Sequence, residues 1–257
     1  MAFRVTDRPD RLPGGRGTSW LAGATVFKPL DMQLEALIWQ DQVLRGIRTA
    51  SGFRVAAPLR SADGRLVVSG WTAWPYLEGR HEAGRWPEIV SAGRLFHAAT
   101  AELPRPSFLR GRHDWWATGD RVAWGELPIG PYLDLDTIRD LSAVLRPIVA
   151  RSQLIHGDLI GNILFHPGLS PAVIDVSPYW RPPAFGDAIV VADAVAWEGA
   201  GADLVGTVAA GSPEFGQCFL RALIYRIVTD RLAGGDRAHD WQAPYRAAVH
   251  LACAIAR

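Results

Sequence analysis

The chain has 257 residues, 49% of them hydrophobic, and a net charge of +1. That is enough to bury a sizeable core in one two-lobed unit or two small domains. Its two cysteines, Cys218 and Cys253, do not make a disulfide framework, and no basic stripe points to a nucleic-acid partner. No apolar run approaches 18 residues and no charged-then-apolar leader opens the chain, so neither a membrane span nor a signal peptide is expected and the reading is a cytoplasmic protein of open oligomeric state.

In chain order, the glycine-bearing segment Pro13-Gly14-Gly15-Arg16-Gly17 precedes an apolar run over residues 20–28 that reads as a strand. A helix is expected over 31–46, then short strands at 54–56 and, after the hairpin signal Ala62-Asp63-Gly64, at 65–70. Trp74-Pro75-Tyr76 with Gly79 reads as a linker, giving an expected division into 1–75 and 76–257. Beyond it helices dominate. Pro87 opens one that runs through Phe96-His97. Asp134 caps another, in which Leu135, Ile138, Leu141, Val144, Leu145 and Ile148 recur at helical spacing. Trp115-Trp116 is read as part of a Pro- and Arg-rich loop region. Further helices are expected over 187–197, from Ser212-Pro213-Glu214 onward, and after Asp240.

The stretch that carries chemistry lies between. His156-Gly157-Asp158-Leu-Ile-Gly-Asn162 runs into two short apolar strands, Ile163-Leu164-Phe165 and Ala172-Val173-Ile174, followed by Asp175. If the strands pair as an antiparallel hairpin, Asn162 stands across from Asp175. Asp158 hangs from the loop just before. Two carboxylates and an amide oxygen are hard ligands suited to Mg²⁺ on a substrate's phosphates, with one Asp left to accept a proton. The chain also has a single lysine, Lys28, among 27 Lys and Arg residues. A lysine that survives such an arginine bias fits a role that needs a compact ammonium. The alternative is that one lysine had to fall somewhere, and that Glu35 merely complements a helix dipole.

These residues resemble the aminoglycoside phosphotransferase family, the small-molecule branch of the protein-kinase-like fold. His156-Gly157-Asp158…Asn162 and Ile174-Asp175 match its catalytic stretch, and Phe185-Gly186-Asp187 the Gly-Asp that follows it. The resemblance implies an α+β fold with a small β-rich N-lobe and a larger helical C-lobe. By the same resemblance Asp158 orients or deprotonates an acceptor hydroxyl, and Asn162 and Asp175 hold Mg²⁺ on ATP or GTP. Lys28 contacts the phosphates and pairs with Glu35, Gly14, Gly15 and Gly17 cover the phosphates, and Trp74 lies in the connector that holds the base. His156 is expected to brace the backbone. The sequence departs from the pattern in two places: Asp158 to Asn162 is one residue shorter than usual, and the glycines at 14, 15 and 17 do not spell Gly-x-Gly-x-x-Gly.

The expected activity is transfer of the γ-phosphate of a nucleoside triphosphate to a hydroxyl of a small molecule. The alternative is an inactive, kinase-shaped nucleotide-binding or regulatory protein, which the shortened loop favours. A metallophosphoesterase is set aside because Ile163, not histidine, follows Asn162, and no Asp-x-His occurs. No row of acidic side chains that would recognise a polycation is evident, so the sequence names no acceptor.

Overall fold

The structure is a computed structural model that describes residues 2–13, 17–47, 52–234 and 240–256. Gly14 and Gly15 lie outside the described residues. Its contacts divide it into two compact units, Met1–His81 with Ile163–Val176, and Glu82–Asn162 with Ser177–Arg257.

In the first unit β1 (Asp10–Arg11), β2 (Trp20–Ala22), β3 (Thr25–Pro29) and β5 (Trp71–Pro75) form one antiparallel sheet in that order. The strand expected over 20–28 is thus a hairpin, turning at Gly23-Ala24. No strand forms over 65–70. The next strand is β5, the segment read as a linker, whose aromatic and β-branched residues suit a pleated surface and pair Thr72 with Lys28 and Trp74 with Val26.

Helix α1 (Leu34–Gly46) follows β3 and buries Ala36, Leu37, Gln40, Asp41 and Leu44, the i, i+3, i+4 stripe of a helix laid on a core. Its buried Asp41 accepts from Arg45 and Arg60. β4 (Arg54–Val55) pairs parallel with β8 (Leu169–Val173), which pairs antiparallel with β7 (Ile163–His166). That pairing, with mutual backbone hydrogen bonds between Arg80 and Phe165, draws residues 163–176 into the first unit. The division therefore falls after His81 and gives the hairpin to the strand-rich unit, where the sequence placed it in the helical portion.

The second unit is built on α7 (Phe215–Ala233), which packs against α3 (Trp115–Ala123), α5 (Pro183–Trp197) and α8 (Arg246–Ile255). Phe219, Leu220, Leu223, Ile224, Ile227 and Val228 are all fully buried and form a broad apolar face, while Arg221 and Arg226 on the same helix are buried as well. α2 (Trp86–Ala99) runs as Pro87 predicts and packs on α5. α6 (Ala202–Ala209) lies between α5 and α7 in sequence. α3 replaces the expected loop at Trp115-Trp116, because the Asp114 side chain caps it by accepting from the Ala117 N–H at 2.9 Å. α4 (Asp136–Ala143) stops well short of Ile148. Pro147 disfavours helical backbone at Arg146, whose N–H instead donates to Gln217 Oε1 at 2.7 Å. Two short strands, β6 (Gln153–His156) and β9 (Pro178–Arg181), pair antiparallel and complete the unit. No helix among the described residues is long and apolar enough to cross a membrane.

Candidate active site

The loop from His156 to Asn162 leaves the end of β6, where His156 pairs with Pro178 of β9. His156 is fully buried, and its Nδ1 accepts from the Asp158 backbone N–H at 3.1 Å. Its own N–H donates to Nε2 of His97 on α2, also at 3.1 Å. The histidine is therefore a brace. Gly157 is required by close approach: an added Cβ would lie 2.3 Å from the Tyr179 ring. Gly161 takes φ +81°, backbone that other residues rarely adopt. That bend turns the chain sharply enough for the Asn162 N–H to reach Leu159 O at 3.0 Å. The Asn162 amide then donates to Asp158, to its carbonyl at 2.7 Å and to its carboxylate at 3.2 Å. The four-residue spacing thus closes as a tight turn, with the Asn162 side-chain oxygen left to act as an acceptor or cation ligand.

Arg226, on α7, is the residue that sequence reasoning missed. Its guanidinium is almost wholly buried and grips Asp193 of α5 through two bonds of 2.8 and 2.5 Å. From the same Nη2 it donates to Asp158 Oδ1 at 2.9 Å. Burial alone lowers the Arg226 group, but Asp193, Tyr225 and Asp158 together carry it well above its ordinary value. The cation is permanent. Asp158 is therefore held by Arg226 on one oxygen and by Asn162 on the other while its side chain stays 47% exposed. No local motif announces such a residue, since 68 positions separate Arg226 from Asp158.

The brace also has a pH signature. Burial, then the neighbouring His156 and Arg94, lowers the His97 pKa to about 3. The imidazole is thus neutral in the native state, while in the unfolded chain it takes up a proton near its ordinary value of 6.5. The unfolded state binds the extra proton between those limits, so stability falls as pH drops from 6.5 toward 3, by up to about 1.4 kcal/mol per pH unit. We expect His97→Gln to flatten the dependence of unfolding free energy on pH in that window. Equal slopes in the two proteins would exclude His97 as the proton-linked group.

Asp158 opens onto a cavity of about 320 Å³ within the second unit. Trp116, Trp197 and Tyr245 give it aromatic walls, and Asp193, Glu198 and Asp230 join Asp158 in lining it, against the single guanidinium of Arg226. Acidic side chains are therefore gathered here from α5, from the residue just after it and from α7. Their separation along the chain hid them from a search for an acidic row.

In the first unit the Lys28 ammonium on β3 forms an ion pair with Asp175. This differs from the expected pairing with Glu35, which is exposed in the first turn of α1. The hairpin register differs as well. Ile163 pairs with Val173 and Leu164 with Ala172, one residue away from the register that would oppose Asn162 and Asp175, and the ladder is irregular between Leu164 and His166. The turn is tighter than the sequence implied, at Pro167-Gly168. Asp175 lies beyond the ladder at φ +48°, left-handed backbone that Asp and Asn tolerate best among residues with a side chain. Trp74, in β5, donates its indole N–H to Thr72 Oγ1 at 3.1 Å. The Gly17 carbonyl accepts from Arg11 at 2.5 Å.

No family model matches the chain, and no curated protein matches its sequence. Solved structures do match. A spectinomycin phosphotransferase in complex with ADP and spectinomycin gives a TM-score of 0.59 at 13% identity, covering 99% of this chain and 95% of that one. An amicoumacin kinase in complex with AMP-PNP, Ca²⁺ and Ami gives 0.65 at 13% identity, covering 99% and 90%. The fold is that of the aminoglycoside phosphotransferases. An aminoglycoside phosphotransferase from Alicyclobacillus acidocaldarius is similar again, with a TM-score of 0.61 at 15% identity over 99% of this chain and 92% of that one. The phosphotransferase fold thus spans both units, and the expected α+β, kinase-like class is the observed one.

Proposed function

We propose that the chain transfers the γ-phosphate of ATP or GTP to a hydroxyl of a small molecule, with Asp158 accepting or orienting the hydroxyl proton. The observation that carries this reading is the Asp158 carboxylate itself, fixed by Arg226 and Asn162 yet half-exposed in the lining of a cavity. Phosphoryl transfer runs through a loose transition state, so it asks a protein mainly for positioning and charge. Asn162 and Asp175 are the proposed oxygen ligands of Mg²⁺, and Lys28 the proposed phosphate contact. Among the described residues no group of three or more His, Cys, Asp or Glu side chains suits a metal ion. One carboxylate and one amide oxygen instead fit an ion that keeps waters and phosphate oxygens as its other ligands. When bound, Mg²⁺ supplies neutralisation of the charge on the nucleotide's phosphates. The inactive reading rested on the shortened loop, and the Asn162–Asp158 hydrogen bonds across that loop favour the active one.

The lining of the cavity beside Asp158 supports a hydroxylated acceptor bearing positive charge, with an apolar face for Trp116, Trp197 and Tyr245. Similar solved structures hold spectinomycin and hygromycin B, which agrees with a small-molecule acceptor.

The test is thermal stability with ATP or GTP, each with and without Mg²⁺. A ligand that binds only the native state adds about 2.7 kcal/mol at a hundredfold excess over its Kd. We expect a Mg²⁺-dependent shift in the wild type that disappears in Asp175→Asn, a change that removes charge while tolerating the left-handed backbone. Lys28→Ala is expected to weaken nucleotide binding with or without the metal. No shift with either nucleotide in the wild type would overturn the proposal.

A further inference from the structure

A second cavity, of about 160 Å³, lies in the second unit between β9, α3 and the 3-10 turn Ser107–Gly111. No residue lines both it and the cavity beside Asp158. Arg105, Arg110, Arg112, Arg121 and Arg181 line it, against two carboxylates, Asp120 and Glu126.

Both carboxylates are already engaged. Arg181 grips Asp120 through two bonds of 2.9 and 2.7 Å and reaches Glu126 at 2.7 Å. Arg112 is fixed too, on Asp114, the Pro178 carbonyl and the Tyr179 hydroxyl. The remaining three are different. Arg121 has only a long 3.7 Å contact with Glu126. Arg105 and Arg110 are exposed and make no hydrogen bond or ion pair among the described residues. Three guanidiniums with donors to spare, beside two held rigidly, repel one another unless an anion enters. A dianionic tetrahedral group suits them, because each oxygen accepts several hydrogen bonds and pairs with the planar fork of arginine. The volume matches that of roughly five water molecules, room for a phosphate and part of what it esterifies. Trp180, also in the lining, offers an aromatic flank to that organic part.

We propose that this cavity binds a phosphate dianion, free or as a small phosphomonoester, at a site separate from both the nucleotide and the acceptor. The proposal does not depend on the phosphotransferase reading. The experiment is isothermal titration of the full chain with inorganic phosphate and with glycerol 3-phosphate, at ionic strength held constant with sodium chloride. Saturable binding of either probe is expected in the wild type and equally in Lys28→Ala, which separates the site from the proposed phosphate contact on β3. In the double variant Arg105→Ala/Arg110→Ala the Kd should rise about tenfold or more, the equivalent of about 1.4 kcal/mol. An exposed arginine elsewhere, Arg139 on α4, serves as control, and Arg139→Ala should bind as the wild type does. The tighter probe tells the free ion from the ester. Binding that is unchanged in the double variant, lost in Lys28→Ala, or absent from the wild type at roughly 10 mM overturns the proposal.

Discussion

Asp158→Asn is expected to lower turnover about 10²- to 10⁴-fold, the usual contribution of a positioned proton acceptor, while leaving nucleotide binding intact. The asparagine oxygen can still accept from Arg226, so the loop should keep its shape on that side. Its amide nitrogen, however, then faces the Asn162 amide where Asp158 had offered an acceptor. More important, the variant has no carboxylate to take or orient a hydroxyl proton. Single-turnover rates paired with nucleotide-dependent stabilisation separate the two effects. A variant that turns over like the wild type would remove Asp158 from the proposed chemistry, and one that no longer binds nucleotide would show that the loop had collapsed.

Arg226→Met should be the most damaging change to stability that the site offers. It leaves Asp193, 8% exposed, as a buried carboxylate without its bidentate partner, a loss that typically costs about 3–5 kcal/mol. In a chain of this size that corresponds to roughly a 10 °C drop in Tm. The informative comparison is Arg226→Met/Asp193→Leu, which removes both charges. Replacing a whole buried ion pair by apolar groups is often close to neutral, so most of the lost stability should return. Activity should not return with it, because Asp158 Oδ1 still lacks its donor. Denaturant unfolding of the two proteins decides the matter. If the single variant unfolds at nearly wild-type denaturant concentrations, the ion pair does not hold the second unit together. If the double variant regains full turnover, Arg226 does not position Asp158.

Local chemistry was the legible part of this chain. The His156–Asn162 run announced itself because its residue types and spacing act within one loop, and the structure finds Asn162 bonded to Asp158 there. Helices opened by Pro87 and by Pro213-Glu214 were readable for the same reason, since the start signals are adjacent to what they start. Contacts at long range were not readable. Arg226 meets Asp158 only through the packing of α7, and the Asp193 that fixes it comes from α5. The partner of Lys28 is 147 positions away and proved to be Asp175, where Glu35 was the nearer candidate in sequence. Hairpin register failed by a single residue, because the turn at Pro167-Gly168 and the irregularity beyond Leu164 together reset the pairing. The strand misread as a linker failed differently: proline and aromatic content marked an end, while pairing with β3 decided the conformation.

The split make-up of the first unit has a bearing on the order of synthesis. β4 has its pairing partner in β8, more than a hundred positions later in the chain. As the polypeptide leaves the ribosome, residues 1–81 emerge without the hairpin that completes their second sheet, and all of residues 82–162 follow before it arrives. The nascent first unit therefore waits with a two-residue strand unpaired, and a fragment ending at His81 is born with the same gap. Chains that are cut, stalled or fused at that boundary inherit an open strand edge, the feature most prone to recruit another chain.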